Sequence, residues 1–152
     1  MQMADCEAAD LLFELNALSI KAGAAILRHY AGGQVAVTVK TDGSPVTAAD
    51  HEAEAIILNG LARLAPTVPI VSEERATHDD VPDISGGRFW LVDPLDGTRE
   101  FLGRNDEFTV NIGMVEGGAP TMGVVHAPAL AVTYIGRPGD GSWRIERGGT
   151  AA

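Results

Sequence analysis

The chain has 152 residues, which is enough for one domain with a substantial core. Acidic residues outnumber basic ones by 21 to 11, so the formal charge of −10 would repel a nucleic-acid backbone and attract divalent cations. Cys6 is the one cysteine, which excludes a disulfide framework and favours a reducing cytoplasm. No apolar run approaches the roughly 20 residues of a membrane span, and the acidic N-terminus does not resemble a signal peptide. Association with a membrane surface is left open.

Two amphipathic helices are predicted in the first half of the chain. Apolar residues recur every three or four positions from Asp5 to Tyr30, and Gly32-Gly33 ends this pattern as glycine often ends a helix. A second helix is predicted to begin near Thr47 and to end before Pro66. Its start, Thr47-Ala48-Ala49-Asp50, fits a capping box in which aspartate replaces the usual glutamate.

Short strands and turns fill the spaces around these helices. Val35, Val37 and Val39 alternate with small or polar residues and predict a strand, followed by a turn at residues 41–45. Further strands are predicted at Pro69–Ser72 and Arg88–Val92. The acidic, unpatterned residues 75–87 between them predict a mobile loop.

The second half of the chain predicts an antiparallel sheet. After a short helical turn at Thr98–Gly103, alternating apolar residues at 108–114 and at 124–125 flank Glu116-Gly117-Gly118, which predicts a hairpin. Residues 132–134 and 143–145 predict two more strands. The fold class is therefore α/β or α+β, with two helices packed on a mostly antiparallel sheet.

Carboxylates are predicted to gather at one edge of this sheet. Asp50 lies in the first turn of a helix, Glu73 follows one strand, and Asp93 and Asp96 follow another. Clustered carboxylates repel one another unless protons or cations neutralise them. Oxygen ligands without histidine or cysteine favour Mg²⁺. Gly97-Thr98 would bring free backbone N–H groups to the same place, as a phosphate cradle.

Each of these features also has a simpler interpretation. Asp50 could serve only as a helix cap, Glu73-Glu74 as a solvated pair, and Asp93–Gly97 as an ordinary turn. The histidines at positions 29, 51, 78 and 126 have no partner spacing, which favours surface or core packing for each of them. Ser72 and Ser85 lack a histidine–aspartate partner set, so a serine hydrolase is not supported.

Several segments carry a resemblance to a known family. The segment Trp90–Thr98 reads Trp-Leu-Val-Asp-Pro-Leu-Asp-Gly-Thr and, with Val71–Glu74 upstream, resembles the signature of the lithium-sensitive, Mg²⁺-dependent inositol-monophosphatase-like phosphatases. Asp42–Asp50 and Arg99-Glu100-Phe101 are similar to the 3'(2'),5'-bisphosphate nucleotidase branch, whereas inositol monophosphatases more typically have Thr-Asn-Phe at the latter position. The resemblance extends over nearly the whole chain.

The resemblance implies a site for two or three Mg²⁺ ions, with inhibition by Li⁺. Glu73 and Asp93 would bind the first ion, together with the main-chain carbonyl of Leu95. Asp93 and Asp96 would share the second ion.

The resemblance also implies the catalytic and substrate-binding residues. Asp50 and Thr98 would form a hydrogen-bonded pair that, with Glu73, activates a water molecule. The substrate phosphate would be bound by the residues of the Asp93–Thr98 turn and the glutamate before it: Glu73, Leu95, Asp96, Gly97 and Thr98.

The implied reaction is removal of the 3'-phosphate of adenosine 3',5'-bisphosphate to give AMP and phosphate. Family members are normally longer, with a second αβ half whose Trp-Asp motif completes the second metal site; here Trp143 is followed by Arg144. Residues 1–152 are therefore expected to form the N-terminal metal-binding lobe, and a homo-oligomer or a complementing C-terminal half is the expected protein partner. An inactive metal-binding module and an inositol or sugar monophosphatase stay open as alternatives.

Overall fold

A computed structural model describes residues 3–33, 36–76 and 78–147, with side chains from Glu7 onward. Val35 of the predicted first strand and residues 148–152 lie outside the described residues. Both predicted helices are confirmed: α1 spans Met3–Ala31 and α2 spans Ala48–Leu64. Between them, β1 (Val37–Val39) and β2 (Pro45–Thr47) form a two-stranded antiparallel sheet.

Six further strands form one sheet in chain order, from β3 at one edge to β8 at the other. The pairing of β3 with β4 is parallel and every other pairing in this sheet is antiparallel, which confirms the predicted fold class. The predicted hairpin is the pair β5–β6, joined through Gly117-Gly118. The strands are β3 (Ile70–Ser72), β4 (Arg88–Asp96), β5 (Thr109–Glu116), β6 (Ala119–Ala127), β7 (Val132–Arg137) and β8 (Gly141–Glu146).

Strand β4 differs from its predicted bounds. It was expected to end at Val92, but it continues to Asp96, so that Asp93 and Asp96 lie within the strand. The register with β5 breaks between these two aspartates, because Asp93 pairs with Asn111 and Asp96 with Thr109. Pro94 in this interval has no N–H to donate to a ladder, which explains a bulge at this point.

Three short helical segments connect these elements. α3 (Glu73–Ala76) takes the first two residues of the predicted loop, and residues 78–87 contain neither helix nor strand. α4 (Thr98–Gly103) has the predicted bounds. A single 3₁₀ turn, Pro128–Leu130, precedes β7.

The core lies between the two long helices and one face of the sheet. Its largest fully buried side chains include Leu15 and Ile26 of α1, Ile57 of α2 and Trp90 of β4. The two helices approach closely at Gly60, where an added Cβ would lie 2.4 Å from Leu18 Cδ1. A larger residue there would require Leu18 to shift.

The opposite face of the sheet is open. Leu91, Val125 and Tyr134 are exposed on it. None of the helices in the described part of the chain combines the length and apolar character needed to cross a bilayer.

Candidate active site

Asp50, at the start of α2, forms hydrogen bonds with residues of β2 and α4. Its side chain is fully buried. Oδ2 accepts hydrogen bonds from the Thr47 backbone N–H (2.8 Å) and from the Thr47 hydroxyl (2.6 Å), while Oδ1 accepts one from the Thr98 hydroxyl (3.0 Å). Asp50 therefore caps its helix and also holds the first residue of α4. The simple helix-cap interpretation is thus too narrow.

The Thr98 hydroxyl lies between two acceptors. It is 3.0 Å from Asp50 Oδ1 and 3.3 Å from the carbonyl oxygen of Leu95. A hydroxyl has one proton to donate and two lone pairs to accept with. Thr98 can therefore donate to Asp50 while a lone pair remains for a proton arriving from the cleft.

Asp93 is the most perturbed acid in the described residues. It is half-buried, and its Oδ1 has no hydrogen-bond partner. Burial, a hydrogen bond with Glu73, and the negative charges of Glu73 and Asp96 raise its pKa to about 8. A carboxyl group in these surroundings is stable at neutral pH only when protonated or neutralised by a cation.

Glu73 and Glu74 have different surroundings. The side chain of Glu73 is 49% exposed, whereas that of Glu74 is buried against Lys40, with Lys40 Nζ 2.9 Å from Glu74 Oε1 and 3.6 Å from Glu73 Oε1. Burial raises the pKa of Glu74, although its contact with Lys40 opposes this. Burial lowers the pKa of Lys40, but the hydrogen bond and charges of its acidic neighbours outweigh burial and raise it. The solvated-pair interpretation is therefore wrong for Glu74.

Two contacts at this site involve residues that the sequence did not single out. Lys40 is 33 positions from Glu73, and no spacing rule links them. Asn111 donates from Nδ2 to Asp96 Oδ2 at 3.1 Å and accepts at Oδ1 from the Thr109 hydroxyl at 2.9 Å. The available signal was Asn111, a polar residue between the apolar Val110 and Ile112.

The start of α4 is held in place by aromatic packing. The rings of Phe101 and Phe108 lie 5.3 Å apart at an interplanar angle of 84°, and Tyr30 from α1 lies 5.0 Å from Phe108. Gly97, just before α4, has φ 88°, and an added Cβ would lie 2.9 Å from the carbonyl oxygen of Glu107. The residue before Thr98 must therefore be glycine.

These residues surround an acidic cleft of about 240 Å³. The structure places six of the seven predicted site residues on its wall: Glu73, Asp93, Leu95, Asp96, Gly97 and Thr98. The seventh, Asp50, lies behind Thr98 and reaches the cleft through the Thr98 hydroxyl. Within the described ranges, no three histidine, cysteine, aspartate or glutamate side chains converge into a preformed cation cage.

The fold and this cleft correspond to a known class of proteins. The sequence matches the inositol monophosphatase family over residues 8–147, and the chain belongs to that family.

Within the family, this chain is similar to bisphosphate nucleotidases. It is 46% identical over 139 residues to the 3'(2'),5'-bisphosphate nucleotidase CysQ of Salmonella typhimurium, an alignment that covers 91% of this chain and 56% of that protein. The chain thus spans just over half the length of this curated relative.

Two solved structures have a similar fold. The extragenic suppressor protein SuhB of Bartonella henselae superposes with a TM-score of 0.81 at 27% identity, over 91% of this chain and 53% of that one. CysQ of Bacteroides thetaiotaomicron superposes with a TM-score of 0.68 at 33% identity, over 89% of this chain and 48% of that one.

Proposed function

We propose that this protein is a Mg²⁺-dependent phosphatase that removes the 3'-phosphate of adenosine 3',5'-bisphosphate, giving AMP and phosphate. In this proposal, residues 1–152 act as its metal-binding lobe. The observation that carries the proposal is the Asp93 carboxyl group. Its Oδ1 has no partner and its pKa is raised to about 8 among other acids, beside the hydrogen-bonded pair of Asp50 and Thr98.

The donor set fits Mg²⁺. Glu73, Asp93 and Asp96 offer carboxylate oxygens, and Leu95 offers a main-chain carbonyl. Mg²⁺ prefers such oxygen ligands and keeps several waters, so a closed protein cage is not required. Among the described residues, Asp93 Oδ1 has no hydrogen-bond partner, and a bound cation would give this oxygen a partner. When bound, Mg²⁺ supplies positive charge that lowers the pKa of water and offsets the charge of a phosphate group.

The pair of Asp50 and Thr98 would handle the proton in this reaction. As water attacks phosphorus in line, its proton passes to the Thr98 hydroxyl, which gives its own proton to Asp50 Oδ1 at 3.0 Å. The bond from phosphorus to the 3'-oxygen breaks, and that oxygen takes up a proton from solvent water as AMP leaves. The hydrogen bonds from Thr47 hold the Asp50 carboxylate in place for this step.

The choice of substrate is supported by the relatives. The Salmonella typhimurium protein is named for 3'(2'),5'-bisphosphate nucleotides, and its alignment with this chain, at 46% identity overall, covers 91% of this chain. The segment Arg99-Glu100-Phe101, which the sequence links to the nucleotidase branch, also lies at this cleft through Arg99 and Glu100.

One assay tests the proposal. Purified protein is incubated with adenosine 3',5'-bisphosphate or with inositol 1-phosphate, in the presence of Mg²⁺, with and without Li⁺, and released phosphate is measured. We expect release mainly from the nucleotide, with inhibition by Li⁺. Release mainly from inositol 1-phosphate would identify a broader sugar-phosphate phosphatase. Release from neither substrate would favour the alternative of a metal-binding module that does not turn over substrate.

A further inference from the structure

Two basic side chains line the acidic cleft, and they differ in their ion pairing. Lys40 is held between Glu74 and Glu73, at 2.9 Å and 3.6 Å, so its charge is already balanced. Arg99 is exposed at the rim of the same cleft. Among the side chains that the structure describes, from Glu7 onward, its guanidinium has no hydrogen-bond or ion-pair partner.

Arg99 extends from a fixed backbone. It is the second residue of α4 and follows Thr98, whose hydroxyl is bonded to the buried Asp50. Two residues further on, the Phe101 N–H donates to the Gly97 carbonyl at 2.8 Å, and the Phe101 ring is buried. The guanidinium can therefore swing on its own side chain over the cleft without moving the carboxylates.

The two parts of the cleft differ in the way they can bind an anion. The part formed by Glu73, Asp93 and Asp96 repels phosphate unless cations intervene. An unpaired guanidinium, in contrast, binds phosphate directly and can do so through two parallel hydrogen bonds. A ligand with two phosphate groups could use both parts at once.

We propose that Arg99 binds the second phosphate group, the 5'-phosphate, of a nucleoside 3',5'-bisphosphate whose 3'-phosphate lies among the carboxylates. This inference rests on the proposed function and adds the residue that separates bisphosphates from monophosphates. Arg99 would act on substrate binding, with little effect on the chemical step.

The test compares two substrates that differ only in the 5'-phosphate. Wild type and Arg99→Ala are assayed with adenosine 3',5'-bisphosphate and with adenosine 3'-monophosphate. Loss of a charge-assisted phosphate contact should raise KM for the bisphosphate about tenfold or more and change KM for the monophosphate less than about twofold. Arg99→Lys, which keeps the charge but loses the paired geometry, should lie between the two.

A matched control removes the same charge elsewhere. Arg63 is exposed near the end of α2, 13 residues after Asp50, which places it about 20 Å away along the helix. Arg63→Ala should leave both KM values unchanged. If it raised KM for the bisphosphate as much as Arg99→Ala does, the effect would be one of net charge and the inference would be wrong.

The remaining outcomes are also decisive. If Arg99→Ala raised KM equally for both substrates, Arg99 would contact the reacting phosphate. If it raised neither KM, Arg99 would contact neither phosphate group. Each of these results overturns the inference and leaves the proposed function intact. If wild type releases no phosphate, the proposed function fails, and equilibrium dialysis of the two nucleotides with Mg²⁺ still tests Arg99. Tighter binding of the bisphosphate that disappears in Arg99→Ala supports the inference, and equal binding of both nucleotides contradicts it.

Discussion

Asp93 shows how a single carboxyl group can be unfavourable to the fold and useful to a site. Burial and its acidic neighbours raise its pKa to about 8, against an ordinary value of 3.8. Between these values the folded state binds the proton more tightly than the unfolded state. The free energy of unfolding therefore falls as pH rises from about 4 to about 8 in the absence of a cation.

Asp93→Asn should remove this loss of stability at higher pH, and it should also remove the proposed cation site. In EDTA, we expect the variant to unfold at a higher temperature than wild type, with an advantage that grows between about pH 4 and about pH 8. Its phosphatase activity should fall by more than the roughly 100-fold that changes outside a metal's ligand shell can cost. Thermal unfolding followed by circular dichroism and a phosphate-release assay measure the two effects. Near-normal turnover would rule out Asp93 as a ligand.

Thr98→Val tests the proton path at the same scale. It keeps the shape of the side chain but removes the hydroxyl that donates to Asp50. General-base catalysis typically contributes 10²–10⁴-fold, so kcat should fall by about 100-fold or more. Leaving Asp50 Oδ1 with one donor fewer should also cost about 1–3 kcal/mol of stability.

Thr98→Ser is the control for that prediction, because serine retains the hydroxyl. It should keep most of the activity in a steady-state assay. If the valine variant turned over substrate as fast as the serine variant, the hydroxyl would have no part in the reaction.

Among the elements, the contact of β6 and β7 with α1 depends on a neutral histidine. His126 is buried, its Nδ1 lies 2.8 Å from the Thr133 hydroxyl, and it packs so closely on α1 that a Cβ at Gly23 would lie 2.6 Å from its Cδ2. The packing role expected for the histidines is thus confirmed for this one. Burial lowers the pKa of His126 below its ordinary value of 6.5.

A pH dependence of stability follows from this contact. Because the unfolded chain binds the His126 proton more readily, the free energy of unfolding should fall as pH drops below 6.5. His126→Gln should show a weaker dependence in urea unfolding between about pH 7 and about pH 5. His51→Gln, at an exposed position of α2, should behave like wild type. Identical slopes for the two variants would refute the assignment.

At the scale of the whole molecule, Mg²⁺ can stabilise the folded protein in two ways, because the net charge is −10. Salt of any kind screens repulsion among surface acids. Binding at the cleft adds a specific effect, which amounts to about 2.7 kcal/mol when the free ion is at 100 times its Kd. MgCl₂ should therefore raise the unfolding temperature above that in NaCl of equal ionic strength, and EDTA should reverse the gain. Equal stabilisation by both salts would contradict a cation site.

Much of this architecture could be predicted from the sequence because its signals are local. The stripe of α1, the Thr47–Asp50 capping box of α2, the Gly117-Gly118 turn and the bounds of α4 depend on neighbouring residues. The spacing of Asp93 and Asp96 and their resemblance to a phosphatase signature indicated the family, which the comparison over residues 8–147 confirmed. The roles of the site residues, the use of Mg²⁺, the inhibition by Li⁺ and the cytoplasmic location stay predictions.

Other features depended on contacts between distant parts of the chain, and only the tertiary structure decided them. Strand β4 runs past Val92 because β5 offers it a partner as far as Thr109. Glu74 is buried because Lys40, from another segment, lies 2.9 Å away, and Asp50 acts beyond its own helix because α4 brings Thr98 to it. The difference between Arg99 and Lys40 also depends on contacts between distant parts of the chain. Composition and spacing identify both as cations, but ion pairing across the fold determines which one remains available to a phosphate.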